Sequence, residues 1–412
     1  MPWFPLSRLS LTRHGHWHPP TNLDSRITGS QAGSLPSELL LQIGQHVFNT
    51  LILWAPGVKS WRFQVPSKSL MINNQRDVFS MILVCKQWYL AILETLYIYP
   101  HLLSPESFRS FQRTLNDHPQ LCSRVKSIFI LDLRLNRRLD QTISKFLLVS
   151  LCLSKAEDKP REILTQILKM CLDVHSVAIH SAHASSCLVP LSPEFVNSSG
   201  FAERLQTLVI SNAAFTSVCT QVELTALKEL HLYNVSPKDP GPSLNCFRGL
   251  PNLRTLCISN TEILGFRGDV AFRITPEVLP HLRTLELRNN IGIPEIHADS
   301  LRMLQVFFFI GPFSNTLADH FRRGGFESLR ELTIGCTSLT QEQADKLASK
   351  LPPQLRTLRL IVFPQESLVP LYGSSEGSIL LRTIRGALQA GSCPRLQRIS
   401  LVLKRRVGIW KH

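Results

Sequence analysis

The sequence predicts an α/β protein: a solenoid built on a parallel sheet of short strands with helical connectors, preceded by a small all-α module. Two observations carry that prediction. The string apolar-x-x-apolar-x-apolar recurs ten times between Val125 and Leu401, and several intervals carry helix-start signals. A third observation bounds it. Of the 412 residues, 44% are hydrophobic and 18% charged, a globular balance rather than that of a disordered chain. No apolar run approaches the roughly 18 residues that a membrane-spanning helix requires.

The clearest copies are Leu205-Gln-Thr-Leu208-Val-Ile210, Leu253-Arg-Thr-Leu256-Cys-Ile258, Leu282-Arg-Thr-Leu285-Glu-Leu287 and Leu355-Arg-Thr-Leu358-Arg-Leu360. Others begin at Val125, Val174, Leu227, Leu301, Leu329 and Leu396. The L-x-L core alternates at period 2, as a strand does, and the leucine three residues ahead of it pins the incoming turn to the same interior. One such strand cannot bury its apolar face alone, so neighbours must stack. Between strands the chain has to return, and three connectors read as helices. Thr340-Gln-Glu-Gln343 is a capping box followed by Ala344, Leu347, Ala348 and Leu351. Pro160 suits a first helical turn ahead of Ile163, Leu164, Ile167 and Leu168. Leu380, Ile384, Ala387 and Leu388, closed by Gly391, make the third.

Over residues 120–405 these copies resemble leucine-rich repeats. Their spacing runs from 19 residues (Leu282 to Leu301) to 49 (Val125 to Val174), and Asn212, Asn234, Asn260 and Asn289 fall one residue early for the family's asparagine ladder. The resemblance therefore implies an irregular horseshoe rather than a regular one.

In an x-L-x-L-x strand the residues between and beside the two inward positions point to the other face. That rule selects a central column of Phe129, Ala178, Val209, His231, Cys257, Glu286, Gln305, Thr333, Arg359 and Ser400. A flanking column adds Ser211, Tyr233, Ser259, Arg288 and Phe307. Tyr and Arg are enriched among binding hot spots, and the candidate target-binding residues are Tyr233, Glu286, Arg288, Phe307 and Arg359.

Residues 34–99 have a different, helical character. Leu35-Pro36-Ser37-Glu38 opens a helix with Leu39, Leu40 and Ile43 on one stripe; Pro36 fits its first turn and Glu38 complements its dipole. Asp77 caps a second helix carrying Val78, Phe79 and Met81. A third carries Cys85, Trp88, Ile92 and Leu96. The L-P-x-E opening, Asp77-Val78-Phe79, Val84-Cys85-Lys86-Gln87-Trp88 and Leu96-Tyr97 together resemble an F-box. Here, residues 44–76 separate pieces that the family keeps close. Two explanations fit that segment: a genuine insertion, or an in-frame intron read as protein.

The resemblance implies a non-catalytic, substrate-recruiting subunit of a Skp–cullin–F-box ubiquitin ligase. It would dock a Skp-type adaptor, and through it the cullin, by Leu35, Pro36, Leu39, Leu40, Ile43, Val78, Leu83, Val84, Cys85 and Trp88. The repeats would hold a target protein. A repeat scaffold or nucleic-acid-binding protein without a ligase role is the alternative, prompted by a net charge of +15. No phosphate-binding loop, zinc-protease helix, nucleophile elbow or dinucleotide fingerprint occurs, so no enzyme activity, cofactor or metal is expected. Residues 1–33 read as a disordered basic tail, 100–119 as a linker helix and 406–412 as a basic C-terminal tail. The ten cysteines form no C-x-x-C and sit mostly among apolar neighbours. That usage points to reduced thiols and a cytoplasmic or nuclear location.

Overall fold

The computed structural model describes residues 36, 39–40, 42–43, 88, 97–102, 105–132, 158–181, 200–211, 214–215, 223–233, 236–237, 247, 249–259, 273–288, 295–296, 298–307, 321, 326–336, 345–347, 349–362, 386 and 393–403. The two tails, the 44–76 segment and the Asp77 helix lie outside these residues. Each of the ten repeat copies becomes a strand. They are β2 (Ser127–Asp132), β3 (Ser176–Ser181), β4 (Thr207–Ser211), β6 (Glu229–Tyr233), β8 (Thr255–Ser259), β10 (Thr284–Arg288), β12 (Met303–Phe307), β13 (Glu331–Cys336), β14 (Thr357–Val362) and β15 (Arg398–Leu403). An eleventh, β1 (His101–Leu102), joins at one edge, giving the order β1-β2-β3-β4-β6-β8-β10-β12-β13-β14-β15. The sheet thus starts within the stretch expected to be a linker. The linker's helix is present as α1 (Pro105–Asp117), which follows β1 and leads back to β2 as a repeat connector does.

The chain divides into two compact units, Met1–His183 with Glu194–Thr207 and Ala184–Pro193 with Leu208–His412. In the first, α1 buries Phe108, Phe111 and Leu115 on one stripe and packs against α2 (Asp158–Met170), which buries Leu164, Ile167 and Leu168. Pro160 lies in the first turn of α2, as expected. At the other end of α2, the Arg204 guanidinium donates to the carbonyls of Leu168 (3.2 Å), Cys171 (3.3 Å) and Leu172 (2.6 Å). Those are orphan acceptors at a helix C-terminus, where the dipole also favours a cation. The Cys122 and Cys171 thiols occupy the same position of successive copies and hydrogen-bond to each other. Burial pushes both thiols up, and both are free rather than in a disulfide.

In the second unit the pairing is parallel and in register. Leu256 aligns with Leu285, Leu285 with Leu304, Leu304 with Leu332, and Leu332 with Leu358. These leucines, and those three residues ahead of them, are buried from Leu253 through Leu355. Two short side ladders flank the sheet: β5 (Ala214–Phe215) with β7 (Ser236–Pro237), and β9 (Arg273–Ile274) with β11 (Glu295–Ile296). The final copy differs, because β15 is an edge and Leu396 and Ile399 are only half-buried.

Ahead of most copies a turn closes with a bond from the leading residue's N–H to the carbonyl three positions back. Leu253 bonds to Leu250 at 3.2 Å, Leu282 to Leu279 at 3.3 Å, Leu329 to Phe326 at 3.1 Å and Leu355 to Pro352 at 3.1 Å. The residue supplying that carbonyl is itself buried in each case. The working unit is therefore one apolar position longer than the string read from sequence. Of the predicted connectors, the capping-box helix is helical at residues 345–347. The third is described only at Gly386, which is helical.

Candidate binding face

Strand pairing turns the predicted columns into rows of neighbours. His231, Cys257, Glu286, Gln305, Thr333, Arg359 and Ser400 align across seven successive strands. Tyr233, Ser259, Arg288 and Phe307 align beside them. Four of the five candidate target-binding residues, Tyr233, Glu286, Arg288 and Phe307, fall within adjoining strands of one patch. Arg359 lies farther along, on β14 between Thr333 and Ser400.

The patch is a network rather than a set of independent surface residues. The Arg288 Nε donates to Glu286 Oε1 two residues away on the same face of β10. Its guanidinium also lies 5.4 Å from the centre of the Phe307 ring, in cation–π reach. On β6, His231 and Tyr233 stack at 6.3 Å, and the His231 Nε2 lies 3.8 Å from Glu229 Oε2. The Cys257 thiol donates to the Tyr233 hydroxyl at 3.6 Å.

Burial sets the electrostatics. It pushes the Tyr233 hydroxyl up, and the neighbouring Cys257 adds to the shift. The Cys257 thiol is likewise pushed up by burial and by the Glu286 charge, so it stays a protonated donor rather than a thiolate. Burial works against the Arg288 charge, but Glu286, Cys257 and Tyr233 together outweigh it and hold the guanidinium above its ordinary value.

The expectation of a solvent-facing column needs correction here. Cys257 is 1% exposed, Phe307 3% and Tyr233 6%. For the small members of the columns the reason is alternation of size across strands. Small Cys257 sits in register between His231 and Glu286, and small Ser259 between Tyr233 and Arg288, so long side chains on both sides enclose short ones. Sequence reasoning named these residues without joining them. The available signal was an acid and a basic side chain two residues apart, at Glu229/His231 and Glu286/Arg288, which a strand places on one face.

Of the predicted adaptor-docking residues, Leu35, Val78, Leu83, Val84 and Cys85 lie outside the described residues. Pro36 is exposed, and its carbonyl accepts the Leu40 N–H at 3.1 Å in a helical bond. Leu39 is 45% exposed while Leu40 is fully buried, so the first points outward and the second belongs to the interior. Ile43 is half-buried. Trp88 is helical and half-buried. Among the described residues no cluster of His, Cys, Asp or Glu could hold a metal, and no helix is long and apolar enough to cross a membrane.

In-register L-x-L strands in one parallel sheet, each preceded by a buried turn, define the class: a leucine-rich-repeat solenoid. Among solved structures, the chain is similar to an internalin (inlF) of Listeria monocytogenes str. 4b F2365, at 15% identity and a TM-score of 0.29 over 58% of this chain and 65% of that one. A Bacteroides fragilis protein is similar at 13% identity and a TM-score of 0.32, over 68% and 66%. The Rad7 and Elc1 complex of yeast is similar at 13% identity and a TM-score of 0.34, over 92% of each chain. The match spans slightly under two thirds of the internalin and of the Bacteroides protein. No family model and no curated protein matches the sequence.

Proposed function

We propose that this chain is the substrate-recognition subunit of a Skp–cullin–F-box ubiquitin ligase. The helical segment that follows Pro36 docks the Skp-type adaptor, and the repeat sheet holds the target protein. The contribution is proximity: the chain raises the target's effective concentration near the ubiquitin-loaded enzyme without doing chemistry itself. One observation carries the reading. The segment that opens with Leu35-Pro36-Ser37-Glu38 buries Leu40 and leaves Leu39 in solvent, one of two large exposed hydrophobics among the described residues, the other being Leu172. An outward leucine beside a buried one suits docking onto a partner. The cytosol or nucleus, where thiols stay reduced, is the compartment this reading implies.

Co-purification of the full chain with adaptor and cullin tests it. Leu35→Ala with Pro36→Ala and Leu39→Ala removes apolar anchors worth about 2 kcal/mol each when they act as hot spots. The triple variant should lose the adaptor and keep the repeat sheet folded by circular dichroism. Undiminished capture of the adaptor by that variant sinks the proposal. Target binding is tested separately by Glu286→Arg, Arg288→Glu and Arg359→Glu together, which should abolish target capture and leave adaptor capture intact.

A further inference from the structure

The residue directly after each leading leucine is the most regular feature of the second unit that the network above does not use. It reads Lys228, Arg254, Arg283, Arg302, Arg330 and Arg356 in six successive copies, and every one is exposed. Main-chain bonds hold these residues in line. The carbonyl of Lys228 accepts from the N–H groups of Arg254 and Thr255, that of Arg254 from Arg283 and Thr284, and that of Arg283 from Arg302 and Met303. The series continues through Arg330 to Arg356, with each bond between 2.8 and 3.0 Å. The six cations therefore stand one strand apart along the edge of the sheet where the chain enters it. At roughly 4.8 Å per strand, five intervals make a rail about 24 Å long.

Like charges directly opposite on neighbouring strands repel. In the middle of the rail the next position along the chain carries no acid to offset that repulsion. The following position reads Thr255, Thr284 and Met303 there, with acids only towards the ends at Glu229 and Glu331. The preceding Asn252 and Ser300 side chains are spent on the carbonyls of Thr225 and Leu282. Among the described residues, no carboxylate pairs with Arg254, Arg283, Arg302, Arg330 or Arg356. A ladder of guanidinium forks one strand apart is a match for an extended string of oxyanions.

We propose that this rail binds an extended acidic peptide segment of the target protein, across the entry edge of the repeat sheet. The inference rests on the reading of the repeats as the target-holding surface. Carboxylates are favoured over nucleic acid for two reasons. Single strands bind on exposed aromatic platforms, whereas Tyr233 and Phe307 of this sheet are buried. Duplex phosphates wind around a helix axis, whereas an extended peptide runs in one direction and covers the rail in about seven residues at ~3.3 Å each.

The probe is a fluorescein-labelled oligoglutamate peptide of about eight residues, titrated into the full chain by anisotropy beside single-stranded and duplex DNA of equal charge. Arg254→Glu, Arg283→Glu and Arg302→Glu together should weaken peptide binding at least about tenfold, while Arg109→Glu with Arg113→Glu and Lys169→Glu, an equal charge change on exposed helix positions, leaves it unchanged. Arg254→Gln, Arg283→Gln and Arg302→Gln together should also weaken binding and melt no lower than the parent, because repulsion is relieved. Equal losses in the rail and helix variants, tighter binding of either DNA, or no binding of the peptide each overturns the proposal. Adaptor capture by the parent separates the two readings: a parent that binds the peptide but captures no adaptor refutes the ligase assignment and leaves the rail standing.

Discussion

Acidification should weaken the first unit through one side chain. His101 on β1 is 4% exposed, with its ring 5.4 Å from that of Phe129 on β2. Burial lowers its pKa from 6.5 to about 4. The folded state therefore keeps the imidazole neutral across a range in which the unfolded chain protonates it. Between those two values the unfolded state binds more protons, so stability is fully present above about pH 6.5 and is lost as pH falls towards 4. The linkage amounts to about 2 kcal/mol at pH 5 and approaches about 3 kcal/mol below pH 4. Other groups titrate too, including His180, whose pKa burial also lowers. The measurement is thus a difference: urea unfolding of the parent and of His101→Phe, which retains a ring against Phe129 but cannot be protonated. The parent should lose about 2 kcal/mol more than the variant between pH 8 and pH 5. Parallel stability curves for the two proteins would refute the argument, since they would mean that burial does not hold the His101 imidazole neutral in the folded state.

Three further outcomes follow from the packing. Leu285→Ala, at a fully buried position between two neighbours, should cost about 3–5 kcal/mol by urea unfolding, whereas Leu396→Ala at the half-buried edge should cost about 1–2 kcal/mol. Arg204→Ala strips donors from three carbonyls at the end of α2 and should destabilise the first unit by about 2 kcal/mol. Arg204→Lys should recover less than half of that loss, because an ammonium cannot fork across the same acceptors. Arg288→Met alone, which leaves Glu286 partly buried without its partner, should be more destabilising than Arg288→Met combined with Glu286→Gln, a sign that only a double-mutant cycle reads.

The sequence by itself determined the repeat. Ten apolar-x-x-apolar-x-apolar strings became ten parallel strands because a period-2 apolar pattern has one buried face, and stacking copies is the way short strands cover it. Pro160 likewise marked a helix start through its own backbone geometry. What only the tertiary structure decided are relations between distant residues. Leu39 and Leu40 look alike in a string of leucines, and packing alone turns one inward and one outward. His101–Leu102 carries no repeat pattern, yet it adds a strand because β2 offers it an edge. Cys257 was read as an exposed column member, and its burial comes from Glu286 and Tyr233 on neighbouring strands. The arginines after the leading leucines were all visible in the sequence, but copies 19 to 29 residues apart become adjacent charges only once register lines them up. Local chemistry is written along the chain; charge repulsion, enclosure and partner choice act through space, at distances that the chain order does not contain.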